Sequence, residues 1–420
     1  MSGMDQIDIF TDLEVVTNPL PYLAYLRSKG PVVRLPTRDI IAVTGYEEGM
    51  AVFQDSENFS SVLAFVGPLV PVSFTPADDL TDQIAQLRPS LPGGDTVLTA
   101  DQQEHRRIKS LLMGVITPKR VKENHEFIEQ LADTQIAGFI DKGKLEVQSK
   151  YSRPLAIGTV AHLLGVPTED YDKIVNPIES LPGPIGSDPS DIAQIMDERI
   201  RAYFRAYISD RRETPRGDVM SEIANTRYVD GSLPPIEDVV SLAALLFGAG
   251  EDTTSRVVTG AIRWLAEDFE LQGKLRADPS LIPNLVEEFL RFDGPGLAAW
   301  RTVKRAVRIG DVDAKPGTAV MLMLSAMNRD PRRFADPAEL KPGRPDSRDH
   351  VAFGRGIHAC PGAPVARAEV KIAIERILAR TSEISIDESV HGPADARRYE
   401  RLPSYFVQGL DALHINFVKA

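Results

Sequence analysis

From Asp101 onward, apolar positions recur mostly at intervals of three and four, the spacing that gives a helix one buried stripe. On that pattern helices are predicted at roughly 103–113, 119–141, 189–212, 235–265 and 280–292, with a shorter, proline-initiated one from Asn18 to Leu26. Val32-Val33-Arg34-Leu35 and Ile40-Ile41-Ala42-Val43 read as strands separated by polar turn residues. Between Ala306 and Met323 the period shortens and Val and Ile gather around Gly310 and Gly317, which predicts further strands. The run Ala412 to Val418 alternates like a strand as well. Residues 61–100 follow neither period. They mix Pro, Gly and apolar residues (Val66-Gly67-Pro68-Leu69-Val70-Pro71), the pattern of a binding loop or lid. The sum is a mainly α chain with a minor β part. No repeat, low-complexity run or Gly/Ser linker divides it, so residues 1–420 are expected to form one domain.

Composition acts on this picture by exclusion. With 43% hydrophobic and 26% charged residues the chain is globular rather than disordered. A formal net charge of −12 argues against non-specific nucleic-acid binding, which needs a basic face. One cysteine rules out an internal disulfide framework and fits a reducing compartment. The polar, acidic start Met1-Ser2-Gly3-Met4-Asp5-Gln6 has no signal-peptide character, and no stretch approaches the roughly 18 apolar residues of a membrane span. A cytoplasmic protein, away from membranes, is expected.

The lone cysteine stands in Phe353-Gly354-Arg355-Gly356-Ile357-His358-Ala359-Cys360-Pro361-Gly362-Ala363. Glycines at 354, 356 and 362 let the backbone adopt positive φ and approach a flat ligand closely. Pro361 suits the first position of a helix that helical spacing continues from Val365 to Arg380. Cys360 would then lie at a helix N-terminus, where N–H groups and the helix dipole stabilise a thiolate. Two plainer readings exist: a buried cysteine acting as a small hydrophobe, and a zinc site, for which no second Cys or nearby His pair is present. Glu251 and Asp252 interrupt the apolar run around Leu242, Ala243, Leu245, Leu246 and Phe247, and are followed by Thr253 and Thr254. Buried acids are costly, and Thr hydroxyls compete for backbone carbonyls, so a local opening of this helix is expected.

These segments resemble the cytochrome P450 family. The phrase Phe-Gly-x-Gly-x-His-x-Cys-x-Gly is complete. Glu288-Phe289-Leu290-Arg291 matches its Glu-x-x-Arg, joined by Arg344 into a structural triad. Ala249-Gly250-Glu251-Asp252-Thr253-Thr254 resembles its oxygen-activation groove. His105-Arg106-Arg107-Ile108-Lys109 resembles its His-x-x-x-Arg, with lysine in place of the forked arginine. Arg401-Leu402-Pro403-Ser404 is similar to a late substrate-contacting turn, although the residues after it depart from the family.

The resemblance implies a single large domain with a long central helix over haem b. It implies Cys360 as the iron ligand, and His105, Lys109, Arg301, Phe353, His358 and Gly362 as further cofactor contacts. Asp252 would relay protons and Thr253 would hold a water by hydrogen bond. The reaction implied is insertion of one oxygen atom from O2 into a hydrophobic substrate, by hydroxylation or oxidative demethylation. Pocket residues by placement are Val66, Leu69 and Val70, Phe247, Gly248 and Ala249, Leu297, Ala298 and Ala299, and Tyr405 and Phe406. One cysteine cannot hold an iron–sulfur cluster, so electrons would come from a separate ferredoxin-type partner with its reductase, serving a monomer. Arg106, Arg107, Lys119 and Arg120 either dock that partner or form an ordinary solvated face. A peroxide-driven enzyme and a non-catalytic haem sensor are the alternative functions. Proline at 361 removes one N–H that would otherwise be available to the sulfur, which implies a more electron-rich thiolate.

Overall fold

The computed structural model describes residues 3–171 and 189–420, apart from the side chains of Leu69 and of residues 189–197. Helices form where the spacing predicts them, at Gln102–Val115, Pro118–Phe139, Pro189–Glu213, Ile236–Glu267, Ile282–Asp293 and Ala363–Arg380, and a further one that the spacing did not predict spans Arg153–Leu163. Their ends have local causes. Thr117 accepts the Arg120 N–H at the start of Pro118–Phe139, and Pro118 sets the backbone of its first turn. Past its other end, Gly143 takes a left-handed φ of 67°, so the helix stops short of the predicted residue 141.

The β part comprises β1 (Val32–Arg34), β2 (Ile40–Val43), β3 (Phe59–Ser60), β4 (Lys144–Glu146), β5 (Ala299–Val303), β6 (Val307–Ile309), β7 (Val312–Ala314), β8 (Ala319–Leu322), β9 (Thr381–Ile386) and β10 (His414–Lys419). One sheet has the order β1-β2-β8-β5-β3, the second β4-β10-β9, and β6 and β7 form a hairpin. In β5 the pleat sends Trp300 to one face and Arg301 to the other. Trp300 enters a cluster with Phe10, Leu297 and Met321, while Arg301 lies against Phe53 on the opposite side. Residues 61–100 are largely irregular, holding only the short turns Gly67–Leu69 and Arg88–Ser90 and the helix Thr81–Leu87.

The central helix Ile236–Glu267 joins two hydrophobic cores. Val239 to Phe247 pack with helices Arg153–Leu163 and Pro189–Glu213. Val257 to Ala266 pack with helices Ile282–Asp293 and Ala363–Arg380 and with β9 and β10. Between these anchors the helix stays regular, so the opening expected at 249–254 does not form. Thr253 Oγ1 instead donates to the Ala249 carbonyl at 2.8 Å, one turn back, which satisfies the hydroxyl without breaking the helix.

Candidate functional site

The cysteine loop is closed by its own backbone. Cys360 N–H donates to Phe353 O (2.9 Å), Ala359 N–H to Gly356 O (3.1 Å) and Gly354 N–H to Val351 O (2.9 Å). Gly356 has φ of 72°, and a Cβ there would lie 2.1 Å from the Phe53 carbonyl oxygen, so no other residue fits. The following helix begins at Ala363, not at Pro361: Pro361 lies in a turn, Gly362 precedes the first helical residue, and Pro364 sits in the first turn. The correction strengthens the thiolate argument, because the N–H groups of Gly362 and Ala363 are left to donate to the Cys360 sulfur. Burial pushes the Cys360 thiol up, while those two N–H groups and Arg367 pull it down. Cys360 is a free cysteine that solvent reaches.

Beside this loop is a cluster of hydrogen-bond donors. The rings of His105 and His358 are 4.3 Å apart. Burial pushes His105 down to about 4, with Lys109 adding to the effect, and pushes His358 down to about 2, helped by Arg301, His105 and Lys109. Both are therefore neutral imidazoles at pH 7. His358 bonds the Ala100 backbone, yet its Nε2, like Nδ1 of His105, is buried without a partner. Arg301 is 6% exposed and its Nη1 reaches only the neighbouring Trp300 carbonyl, at 2.7 Å. Burial lowers it to about 10, so it stays charged. Lys109 Nζ donates to Ile357 O at 2.6 Å, tying the helix Gln102–Val115 to the cysteine loop. The buried cations and the orphaned His105 nitrogen together suit a ligand that brings carboxylates. A planar haem with its propionates fits this donor set and the glycine-framed loop.

On the central helix, 100° per residue puts Gly248, Ala249, Asp252 and Thr253 on one face and Phe247, Glu251 and Thr254 on the other. The first group is open: Gly248 and Ala249 are exposed, and a Cβ on Gly248 would meet nothing within 4 Å. Phe247 is instead fully buried against Phe204, which removes it from the expected pocket. Glu251 is buried and paired with Arg153 at 2.6 Å; burial raises its pKa against the pull of that arginine. Asp252 Oδ1 accepts from Arg256 at 2.9 Å.

The predicted triad forms. Arg291 grips Glu288 through Nε (2.7 Å) and Nη2 (2.8 Å), and Arg344 Nε reaches the same carboxylate at 3.0 Å. Next to it is a group the sequence did not reveal. Glu287 accepts from Arg367 (2.7 Å) and bonds His350 Nε2 (3.0 Å), while Arg367 lies 4.7 Å above the Phe353 ring. Burial would raise Glu287, but His350 and Arg367 bring it down to about 2. Helix Ile282–Asp293 thus holds the chain on both sides of the cysteine.

Of the other pocket residues, Val66, Val70, Leu297, Ala298, Tyr405 and Phe406 converge on the cluster around Trp300. Ala299 packs on the opposite side of the sheet, as the pleat requires, and the Leu69 side chain lies outside the described residues. The basic face needs correction. Arg120 is buried, 6% exposed, and bonded to Glu222, while Arg107 lies over Tyr228 beside Glu104 and Asp238. Arg106 and Lys119 stay at the surface. Among the described residues no helix is long and apolar enough to cross a membrane.

A family model described as cytochrome P450 matches residues 139–389. The chain is 42% identical to the cytochrome P450 CYP150A6 of Mycobacterium marinum in its substrate-free form, with TM-score 0.93 over 100% of both chains. It is 31% identical to the biotin biosynthesis cytochrome P450 of Bacillus subtilis, over 89% of this chain and 91% of that protein. With CYP109E1 of Bacillus megaterium in complex with corticosterone it shares 25% identity and TM-score 0.80, over 96% and 99% of the two chains.

Proposed function

Since the chain belongs to the cytochrome P450 family, we propose that Cys360 is the thiolate ligand of its haem and that Asp252 and Thr253 handle protons during oxygen activation. The protein is a monooxygenase and its cofactor is haem b. When bound, haem supplies the reductive activation of O2. The observation that carries the assignment of Cys360 is its free, solvent-reachable side chain in the glycine-framed loop, with the Gly362 and Ala363 N–H groups bonding its sulfur.

The chain's own residues divide the remaining work. His105, Arg301 and Lys109 would hold the propionates, His105 as a neutral donor and the two cations by charge, while His358, its one N–H given to the Ala100 backbone, packs against His105 beside them. Thr253 donates its hydrogen to Ala249 O, which leaves its oxygen free to accept from a water. Asp252, on the same face, would pass protons to that water. Gly248 and Ala249 leave room there. The substrate is a hydrophobic molecule seated near Val66, Val70, Leu297, Ala298, Tyr405 and Phe406, and the outcome is hydroxylation or oxidative demethylation. Electrons come from a ferredoxin-type partner with its reductase, and Arg106 and Lys119 are the candidate docking cations that remain.

Thr253→Ala tests the proton-handling pair. Product formed per electron consumed should fall about tenfold or more, with the difference released as hydrogen peroxide. Unchanged coupling would refute the assignment of Thr253. A second expected outcome concerns Pro361. Pro361→Leu restores an N–H beside the sulfur, which should draw electron density from it and raise the iron reduction potential. Redox titration of parent and variant checks this, and an equal or lower potential in the variant would disprove it.

A further inference from the structure

Asp252 does not stand alone. Arg256, one turn further along the central helix, reaches Asp252 Oδ1 with Nε and with Nη2, both at 2.9 Å. The remaining arm of the same guanidinium, Nη1, donates to the Leu410 carbonyl, again at 2.9 Å. The arginine side chain is 8% exposed and the aspartate 34%, so the cation is fixed while the carboxylate borders open space.

Leu410 closes a small hairpin. Arg401 bridges to Leu410, and Leu402 N–H donates to Gly409 O at 3.1 Å. The tip carries Tyr405 and Phe406, and it is stitched to the 295–297 segment by Gln408 N–H to Pro295 O (2.6 Å) and Leu297 N–H to Phe406 O (3.1 Å). Gly409 permits the close approach: a Cβ there would sit 2.8 Å from both Cβ and Cδ of Arg256. A continuous set of contacts therefore runs from two candidate substrate-facing aromatics, through Leu410 and Arg256, to the candidate proton-handling acid.

We propose that Arg256 is a positioning residue that joins the 401–410 hairpin to Asp252, so that the seat of the hairpin sets the direction of the carboxylate. A planar guanidinium with a fixed fork cannot follow a displaced Leu410 carbonyl without rotating its other arms on Asp252. An occupant pressing on Tyr405 and Phe406 is thereby registered at the acid, which lies four residues from Arg256 and about 40° around the helix from it. This rests on the reading of Asp252 and Thr253 as the proton-handling pair.

The test uses the full-length haem protein, reduced by a plant-type ferredoxin and its reductase, with corticosterone as the probe. Peroxide released per O2 consumed and the solvent deuterium isotope effect on O2 consumption are measured, and unfolding midpoints are followed alongside. Arg256→Met keeps most of the aliphatic stem and removes both arms. Gly409→Ala keeps every polar group but displaces Arg256. Each should raise peroxide release severalfold, up to about tenfold, and change the isotope effect. Arg256→Lys keeps the charge on Asp252 without the fork and should fall between parent and Arg256→Met. Parental peroxide and isotope effect in both Arg256→Met and Gly409→Ala, with Thr253→Ala uncoupled, would overturn the proposal and leave the acid–alcohol reading intact. Parental values in Thr253→Ala too would bring down that reading, and this proposal with it. A lower unfolding midpoint with unchanged peroxide and isotope effect would mark Arg256 as merely structural, which also refutes the inference.

Discussion

Cys360→Ala should abolish oxygenase activity outright, and the reduced protein under carbon monoxide should lose the strongly red-shifted Soret band expected of the parent. The size of the effect follows from what the loop is built to present. Glycines at 354 and 356 hold the backbone at positive φ, and the Gly362 and Ala363 N–H groups aim at one sulfur. Alanine removes the only group there able to donate negative charge to a metal. Cys360→His separates two effects. An imidazole can still bind iron but supplies a neutral donor, so haem should be retained with a spectrum typical of histidine ligation and without oxygenase activity. A red-shifted band persisting in Cys360→Ala would refute thiolate ligation altogether, since the chain has no other cysteine.

Glu288→Ala should cost about 3–5 kcal/mol of stability, the range for removing one partner from a buried ion pair. The Glu288 carboxylate takes two bonds from Arg291, one from Arg344 and one from the Lys341 N–H at 2.8 Å, with Glu288 and Arg291 side chains both fully enclosed. Its loss leaves two arginines buried with no anion between them. Burial alone would raise the Glu288 pKa, but the bonds from Arg291, Lys341 and Arg344 hold it below its ordinary 4.5. A carboxylate depressed in the folded state stabilises the protein fully above its unfolded value and loses that contribution as pH falls below it. The gap between parent and Glu288→Ala should therefore be widest above about pH 5 and narrow in acid. Urea unfolding at neutral and acid pH measures both, and a difference under about 1 kcal/mol at neutral pH would contradict the buried-pair account.

The helices were legible because their amphipathic period survives in the final packing, and the cysteine loop was legible because glycines with positive φ leave a dense local trace. What stayed hidden depends on contacts distant in sequence. Glu287 adjoins Glu288, and nothing local tells which acid faces Arg291 and which faces His350 and Arg367. Arg120 reads as a surface cation until helix Val219–Ala224 brings Glu222 to it. Phe247 looked available because it precedes Gly248, but a helix turns adjacent residues apart, and Phe204 claims it. The turn of π-helix Gln148–Ser152 left no periodic signal. Its Gln148 nevertheless bridges Ser255 and Thr259 on the central helix, at 3.2 Å and 2.5 Å. The expected break in that helix failed for a local reason: Thr253 found a carbonyl one turn back.

The bond from Lys109 to the Ile357 carbonyl also bears on how the molecule is made. During synthesis a ribosome emits the helix Gln102–Val115 and β4 long before their partners exist. Lys109 must wait for the cysteine loop, and β4 for β10, with which Leu145 pairs through Ile415. Non-local pairings of this kind make folding slow and leave apolar faces uncovered meanwhile. Nascent chains halted before residue 360 lack the cysteine loop to which Lys109 bonds, so cofactor capture is a late event in synthesis.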